Sequence, residues 1–260
     1  MTKILLDAGH YGKRNQCPCV PAYYESEAMW KLHLALKKSL EERYEDVQVD
    51  VTREDQKRDL SVNARGKKAK GYDLALSEHT NATSKAVCNP TDRVDVYYAW
   101  DNLNNAQVLA DKLMRVTAAC MGVTKGKAKT RKSTQGDWDY YGFMRSARNV
   151  GCPLYLILEN SFHTNEAAAL WLLDEDNIKL LAEVQADVIA EHFNLKPIMS
   201  LGDVNGDGKV NEYDAILIKR IVMGTYMPTD EELRRCDING DGKVDEFDYI
   251  AIKRILLGTA

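Results

Sequence analysis

The stretch Leu154-Tyr-Leu-Ile-Leu-Glu-Asn-Ser-Phe-His-Thr-Asn165 sets five apolar residues directly before a carboxylate. Residues 154–158 predict a strand buried on both faces, as in a parallel sheet covered by helices. Glu159 then stands where that strand is expected to end. Two readings are open. Either the strand stops and the carboxylate meets water, or burial against the strand raises the Glu159 pKa toward a working pH for general acid/base chemistry.

Further apolar strands are expected at Ile4–Leu6, Val47–Val51, Tyr72–Ser77 and Val94–Tyr98. Helical stretches fall at about 25–43, 61–70, 104–120, 166–173 and 177–193. Strands alternating with helices of this length predict an α/β fold: a twisted, mostly parallel sheet with helices on both faces. In such sheets ligands collect at the carboxyl ends of the strands. Asp7-Ala-Gly-His10, His79-Thr-Asn81 and Glu159 therefore share one predicted rim.

Two histidines and a carboxylate on one rim suggest a metal, but zinc needs a third ligand. The helix opening Glu25-Ser-Glu-Ala-Met-Trp supplies a candidate. Its inward stripe is Ala28, Met29, Leu32, Leu36 and Leu40, and Glu25 continues that stripe back by one turn. Glu27 points to the flank with Lys31 and Lys38. A first-turn Glu is also explained by the helix dipole alone. His33 lies on the apolar face and reads as a core histidine. His192 sits near a helix end, and His163 is placed to support the rim.

Composition excludes some functions. The chain has 260 residues, 45% hydrophobic and 28% charged, and no apolar run approaches a membrane span, so no membrane insertion is expected. A net charge of −4 gives no electrostatic case for nucleic acid. From Gly202 onward twelve acidic residues face eight basic ones, while the remaining 27 and 27 cancel. The opening Met-Thr-Lys-Ile-Leu-Leu-Asp enters a strand with no signal-peptide core, which predicts synthesis in the cytoplasm without a signal peptide. The six cysteines show no disulfide-framework spacing, and reduced thiols are expected. Cys17-Pro-Cys19 reads as a loop feature. The basic run 125–138 is read as a solvated excursion, or as a contact with anionic wall polymer.

In order along the chain stand Leu6-Asp-Ala-Gly-His10, a Glu opening the first helix, Thr52-Arg53, Leu60 through Arg65, Ser77-Glu-His79-Thr-Asn81-Ala82 and Leu156-Ile-Leu-Glu159-Asn-Ser-Phe162-His-Thr-Asn165. Together they resemble the zinc-dependent N-acetylmuramoyl-L-alanine amidases of the amidase-3 type, over roughly residues 1–195. The resemblance implies one catalytic zinc on His10, Glu25 and His79, with Glu159 as the catalytic carboxylate. Asn81, Asp95 and His163 are candidates for supporting the site or touching substrate. The sequence departs from the family at Tyr11-Gly12, where Gly-Gly is common, at Arg93-Val94-Asp95, where Gly-x-Glu often stands, and at Glu78, which replaces an apolar residue.

The last quarter repeats. Asp203-Val-Asn-Gly-Asp-Gly-Lys-Val-Asn-Glu-Tyr-Asp214 returns as Asp237-Ile-Asn-Gly-Asp-Gly-Lys-Val-Asp-Glu-Phe-Asp248. Oxygen ligands at loop positions 1, 3, 5, 9 and 12, a backbone carbonyl at 7 and Gly at 6 are what a calcium loop requires. The first site would use Asp203, Asn205, Asp207, the Lys209 carbonyl, Asn211 and Asp214. The second would use Asp237, Asn239, Asp241, the Lys243 carbonyl, Asp245 and Asp248. Exiting helices are expected at Ala215–Gly224 and Ala251–Gly258, and no leading helix is evident in either half. The module resembles a dockerin, which implies a small all-α fold, two structural calcium ions and a cohesin-like partner. Glu212-Tyr213 and Glu246-Phe247 stand where many dockerins carry small hydroxyl residues.

The expected organisation is a catalytic domain over 1–195, a linker over 196–201 and the calcium module over 202–260. The leading functional expectation is an amidase acting on cell-wall peptidoglycan, read as a phage lysin from its layout of one catalytic domain and one accessory module. The alternative is a calcium-dependent assembly protein docking to a cohesin-like protein or wall component, with amidase chemistry secondary or directed at another amide.

Overall fold

The computed structural model describes residues 1–83, 87–198 and 201–259. The chain forms two compact units, Met1–Lys196 and Pro197–Ala260. Of the linker expected over 196–201, residues 199 and 200 lie outside the described residues, as does residue 260 of the module.

The first unit is a sheet of β1 (Thr2–Ala8), β2 (Val47–Val51), β3 (Leu74–Asn81), β4 (Arg93–Tyr97), β5 (Thr124–Lys129) and β6 (Leu154–Phe162), in the order β2-β1-β3-β6-β4-β5. All neighbours are parallel except β4, which runs antiparallel to β6. The helices are α1 (Glu25–Arg43), α2 (Val62–Lys67), α3 (Ala106–Met121), α4 (Gly142–Asn149), α5 (Glu166–Trp171) and α6 (Glu175–Phe193).

Alternation along the strands assigns the faces. Ile4, Leu6, Leu74, Leu76, Leu154, Leu156 and Leu158 point to one side, where the stripes of α1, α3 and α6 cover them. Leu5, Ala75, Tyr155 and Ile157 point to the other, where Phe143, Met144 and Ala147 of α4 pack. The expected α/β architecture with helices on both faces is the one observed.

Three expectations are corrected. The strand holding Glu159 does not stop at 158 but runs to Phe162, because β3 continues beside it to Asn81 and keeps its backbone paired. The basic run after 124 is not wholly a solvated excursion: Thr124–Lys129 pairs with β4 as an edge strand, where lysines suit an exposed edge. The cysteines are not all reduced. Cys19 is bonded to Cys88, with Cα atoms 5.4 Å apart, and this closes 69 residues of chain that spacing could not relate. Cys17, Cys120, Cys152 and Cys236 are free.

The second unit holds α7 (Glu212–Val222), α8 (Asp230–Cys236) and α9 (Glu246–Leu256) around Val204, Ala215, Ile218, Cys236 and Ile252. A leading helix therefore exists for the second loop. Its Thr229–Glu232 capping box starts it, in a stretch too short and polar to carry a clear apolar stripe.

Candidate functional site

His10 follows β1 in a left-handed backbone conformation, φ 59°. Gly9 beside it makes the site possible, since a Cβ there would lie 2.5 Å from the His79 ring. Arg65 holds the turn by donating to the carbonyl oxygens of Ala8 (2.7 Å) and His10 (2.9 Å). Arg53 adds a second donation to Ala8 at 2.7 Å. Asp7, buried beneath them, accepts from Ser77 at 2.7 Å and from Thr52.

Glu25 is the first residue of α1 and is buried over the end of β3. Its Oε1 accepts from the Thr80 N–H at 3.0 Å and meets His79 Nδ1 at 3.0 Å. Its Oε2 lies 3.5 Å from His10 Nε2. Among the described residues, His10, Glu25 and His79 form the one cluster of this kind, with donor atoms all within 4.8 Å of one another. The Asn15 Nδ2 donates to Glu25 Oε2 at 2.5 Å and lies 3.0 Å from His10 Nε2, so its NH2 group stands between the two side chains.

Two imidazoles and one buried carboxylate, aimed at a common point beside a cleft, fit a zinc ion with an open coordination position. The electrostatics agree with a cation there. Burial works against ionised Glu25, but the His79 hydrogen bond and the charges of the histidines outweigh it and bring its pKa down to about 2. Burial likewise opposes a charged His79, yet Glu25 and Glu159 push its pKa up to about 9. His10 is shifted down, chiefly by burial.

Glu159 pairs in register with His79 on one side and with Asp95 on the other, so all three side chains point to the same face. Burial pushes its pKa up to about 7, with Glu25 and Asp95 adding to the rise and His79 and Lys129 opposing it. A cavity of about 320 Å³ joins Glu159 to His10, Glu25, His79 and Tyr141.

The remaining predicted residues fall differently. His163 is buried, its Nδ1 within 3.1 Å of the Thr80 carbonyl and 3.6 Å of Glu25, behind the carboxylate. Asn81 lines the cavity. Asp95 is not among its lining residues; it is held by Lys129 of the edge strand β5 (2.8 Å) and by Arg93 (3.2 Å). Glu78 faces the opposite side from His79, where Asn160 donates to it at 2.5 Å and burial pushes its pKa up to about 7. Asn15 and Tyr141 carry no signal in the sequence, because both lie outside helices and strands with no periodicity to mark them; Thr80, on the predicted rim between His79 and Asn81, enters the site through its main-chain N–H.

In the second unit the hydrogen bonds of the first loop recur in the second. Asp203 accepts from the N–H of Asp207 and Gly208, as Asp237 does from Asp241 and Gly242. Asp214 accepts from Val204, Asn205 and Asn211, and Asp248 from Ile238, Asn239 and Asp245. This explains Asp at the twelfth position: its short arm ties the two ends of the loop together. The all-oxygen side-chain set fits calcium rather than a softer ion.

Residues 4–191 match the family described as N-acetylmuramoyl-L-alanine amidase, and residues 201–257 match the dockerin type I domain. The fold is similar to the N-acetylmuramoyl-L-alanine amidase from Clostridium difficile 630, with 18% identity over 74% of this chain and 97% of that one, and a TM-score of 0.63. The catalytic domain of CwlV from Bacillus (Paenibacillus) polymyxa var. colistinus gives 21% identity, 75% and 100% coverage and a TM-score of 0.61. The amidase of Nostoc punctiforme gives 19%, 74% and 97%, and 0.58. No curated protein sequence matches the chain. Among the described residues, no helix is long and apolar enough to cross a membrane.

Proposed function

The chain belongs to the N-acetylmuramoyl-L-alanine amidase family, and from that premise we propose that it hydrolyses the amide between the lactyl group of muramic acid and L-alanine in peptidoglycan, using one zinc ion held by His10, Glu25 and His79 and Glu159 as the proton carrier. The observation that carries this reading is the position of Glu159, in register with His79 and sharing one cavity with the three candidate ligands. Zinc bound there supplies Lewis acidity to the attacking water and the scissile carbonyl.

The protein's own groups do the rest. Glu159 takes a proton from water as the oxygen attacks the carbonyl carbon, and delivers it to the alanine nitrogen as the C–N bond breaks. Burial raises the Glu159 carboxyl in the metal-free site, and a bound zinc would draw it back toward the ionised form that accepts the proton of water. The Thr80 N–H donates to Glu25 and so orients a ligand carboxylate, while His163 packs against Thr80 with its Nδ1 3.6 Å from Glu25.

We assign residues 1–195 to this chemistry and 202–260 to a module that folds around two calcium ions and docks to a cohesin-like partner. Dockerins bind calcium and imply such a partner. Tyr213 and Phe247, 73% and 61% exposed, supply apolar contact on its helices. The site of action is the bacterial cell wall, and the Cys19–Cys88 bond favours an oxidising compartment. A phage-lysin role is one setting for that chemistry; lysis of intact cells by added enzyme tests it.

Digestion of purified peptidoglycan by the wild type and by Glu159→Gln tests the chemistry. New L-alanine amino termini without new reducing ends, absent with the variant, are the expected result. Products unchanged by the substitution would remove Glu159 from its role.

A further inference from the structure

The hairpin after β5 carries a cavity that the amidase chemistry does not use. It measures about 380 Å³ and is lined by Ser133, Thr134, Gln135, Trp138, Tyr140 and Arg145. The hairpin is built rather than loose. Ser133 N–H donates to the Trp138 carbonyl (2.8 Å) and Tyr140 N–H to the Arg131 carbonyl (2.8 Å). Buried Asp139 accepts from the main-chain N–H of Trp100 at 2.8 Å, and Arg145 donates to the Asp139 and Tyr140 carbonyls.

Gly136 explains the placement of the tryptophan. A Cβ on it would fall 2.1 Å from the Trp138 ring, so only glycine lets the indole lie against the loop. Trp138 remains 40% exposed and Tyr140 48% exposed. Arg131 sits 3.7 Å from the centre of the Tyr140 ring and 5.6 Å from that of Tyr141. Tyr141 in turn lines the Glu159 cavity, and its ring centre lies 5.2 Å from that of Tyr140.

We infer that this cavity is a sugar subsite for the glycan strand of peptidoglycan, continuous with the catalytic cleft through Tyr140 and Tyr141. Part-exposed aromatic rings beside an amide, two hydroxyls and a guanidinium match a pyranose, which offers an apolar ring face together with hydroxyl and N-acetyl groups. The positive charges of Arg131 and Arg145 complement the lactyl carboxylates left on strand units whose peptides have been removed. The inference rests on the amidase reading for the identity of the strand.

The test separates the two claims. Binding of a soluble glycan of alternating N-acetylglucosamine and N-acetylmuramic acid, freed of stem peptides, is measured by calorimetry with full-length wild type, Trp138→Ala, Trp138→Phe and Tyr140→Ala. Hydrolysis is measured on intact strands and on a single muramoyl-peptide. The expected result is about tenfold weaker glycan binding for the alanine variants, with kcat/KM falling by a similar factor on strands and unchanged on the single muramoyl-peptide. Trp138→Phe should recover most of the binding, which a folding defect would not allow. Equal binding and equal strand hydrolysis by all four proteins overturns the subsite. Failure of the wild type to cut either substrate overturns the amidase reading instead, and glycan binding alone then decides the subsite.

Discussion

Arg65 donates to the main-chain carbonyl of His10 at 2.9 Å, so the backbone of one candidate zinc ligand is held by a guanidinium 55 residues away in sequence. The same fork reaches the Ala8 carbonyl, Asp59 and the Leu60 carbonyl. A lysine keeps the charge but cannot reproduce that geometry. Arg65→Lys is expected to weaken zinc binding at least about tenfold, as loss of a ligand's outer support usually does. Competition titration against a chromogenic chelator reads this, and unchanged affinity would mean that the His10 turn holds itself.

Glu159→Gln removes the proton carrier and leaves His10, Glu25 and His79 in place. The rate constant for hydrolysis is expected to fall by about 10² to 10⁴, with zinc content by metal analysis unchanged. A variant that loses zinc along with activity would place Glu159 among the ligands.

His33 links stability to pH. Burial among apolar groups pushes its pKa down to about 4 from 6.5, despite hydrogen bonds to the Trp30 and Met29 carbonyls. Between those values the unfolded chain binds a proton that the folded chain refuses. Stability is therefore full above pH 6.5 and falls as the pH drops toward 4, by about 3 kcal/mol. Urea midpoints across that range should decline less steeply for His33→Leu than for the wild type; parallel curves would reject the link.

The Cys19–Cys88 bond closes a 69-residue separation. By loop-closure entropy it restrains the unfolded chain by about 4 kcal/mol. The double variant Cys19→Ser, Cys88→Ser should melt several degrees lower, and dithiothreitol should lower the wild-type Tm while leaving the variant unmoved. Reductant acting equally on both would show that the bond does not form.

The second calcium loop has four carboxylates, Asp237, Asp241, Asp245 and Asp248, against three in the first, where Asn211 replaces the fourth. Tighter calcium binding at the second site is expected. Calorimetry on Asp203→Ala and Asp237→Ala, each silencing one loop, reads the two affinities separately, and the reverse order would remove the claim.

Some of this was legible in residue order alone. The apolar runs at Leu74–Leu76 and Leu154–Leu158 mark central strands because a strand buried on both faces must be apolar throughout. The stripe of α1 places Glu25 on its inward side because a helix repeats every 3.6 residues. The repeated loop declares its chemistry because a metal loop keeps its ligands local, within twelve residues. These are short-range properties, and the chain states them directly.

What joins distant segments was decided only in three dimensions. The length of β6 beyond Leu158 depends on β3 running beside it, and the edge strand Thr124–Lys129 exists because β4 offers free backbone partners. The Cys19–Cys88 pair, the hold of Arg65 on His10 and the reach of Asn15 to His10 and Glu25 have no periodic signature. Sequence patterns record what each residue does with its neighbours within a turn or a pleat. Pairing across the fold is set by which surfaces the collapsed chain brings together, and there the packing decides.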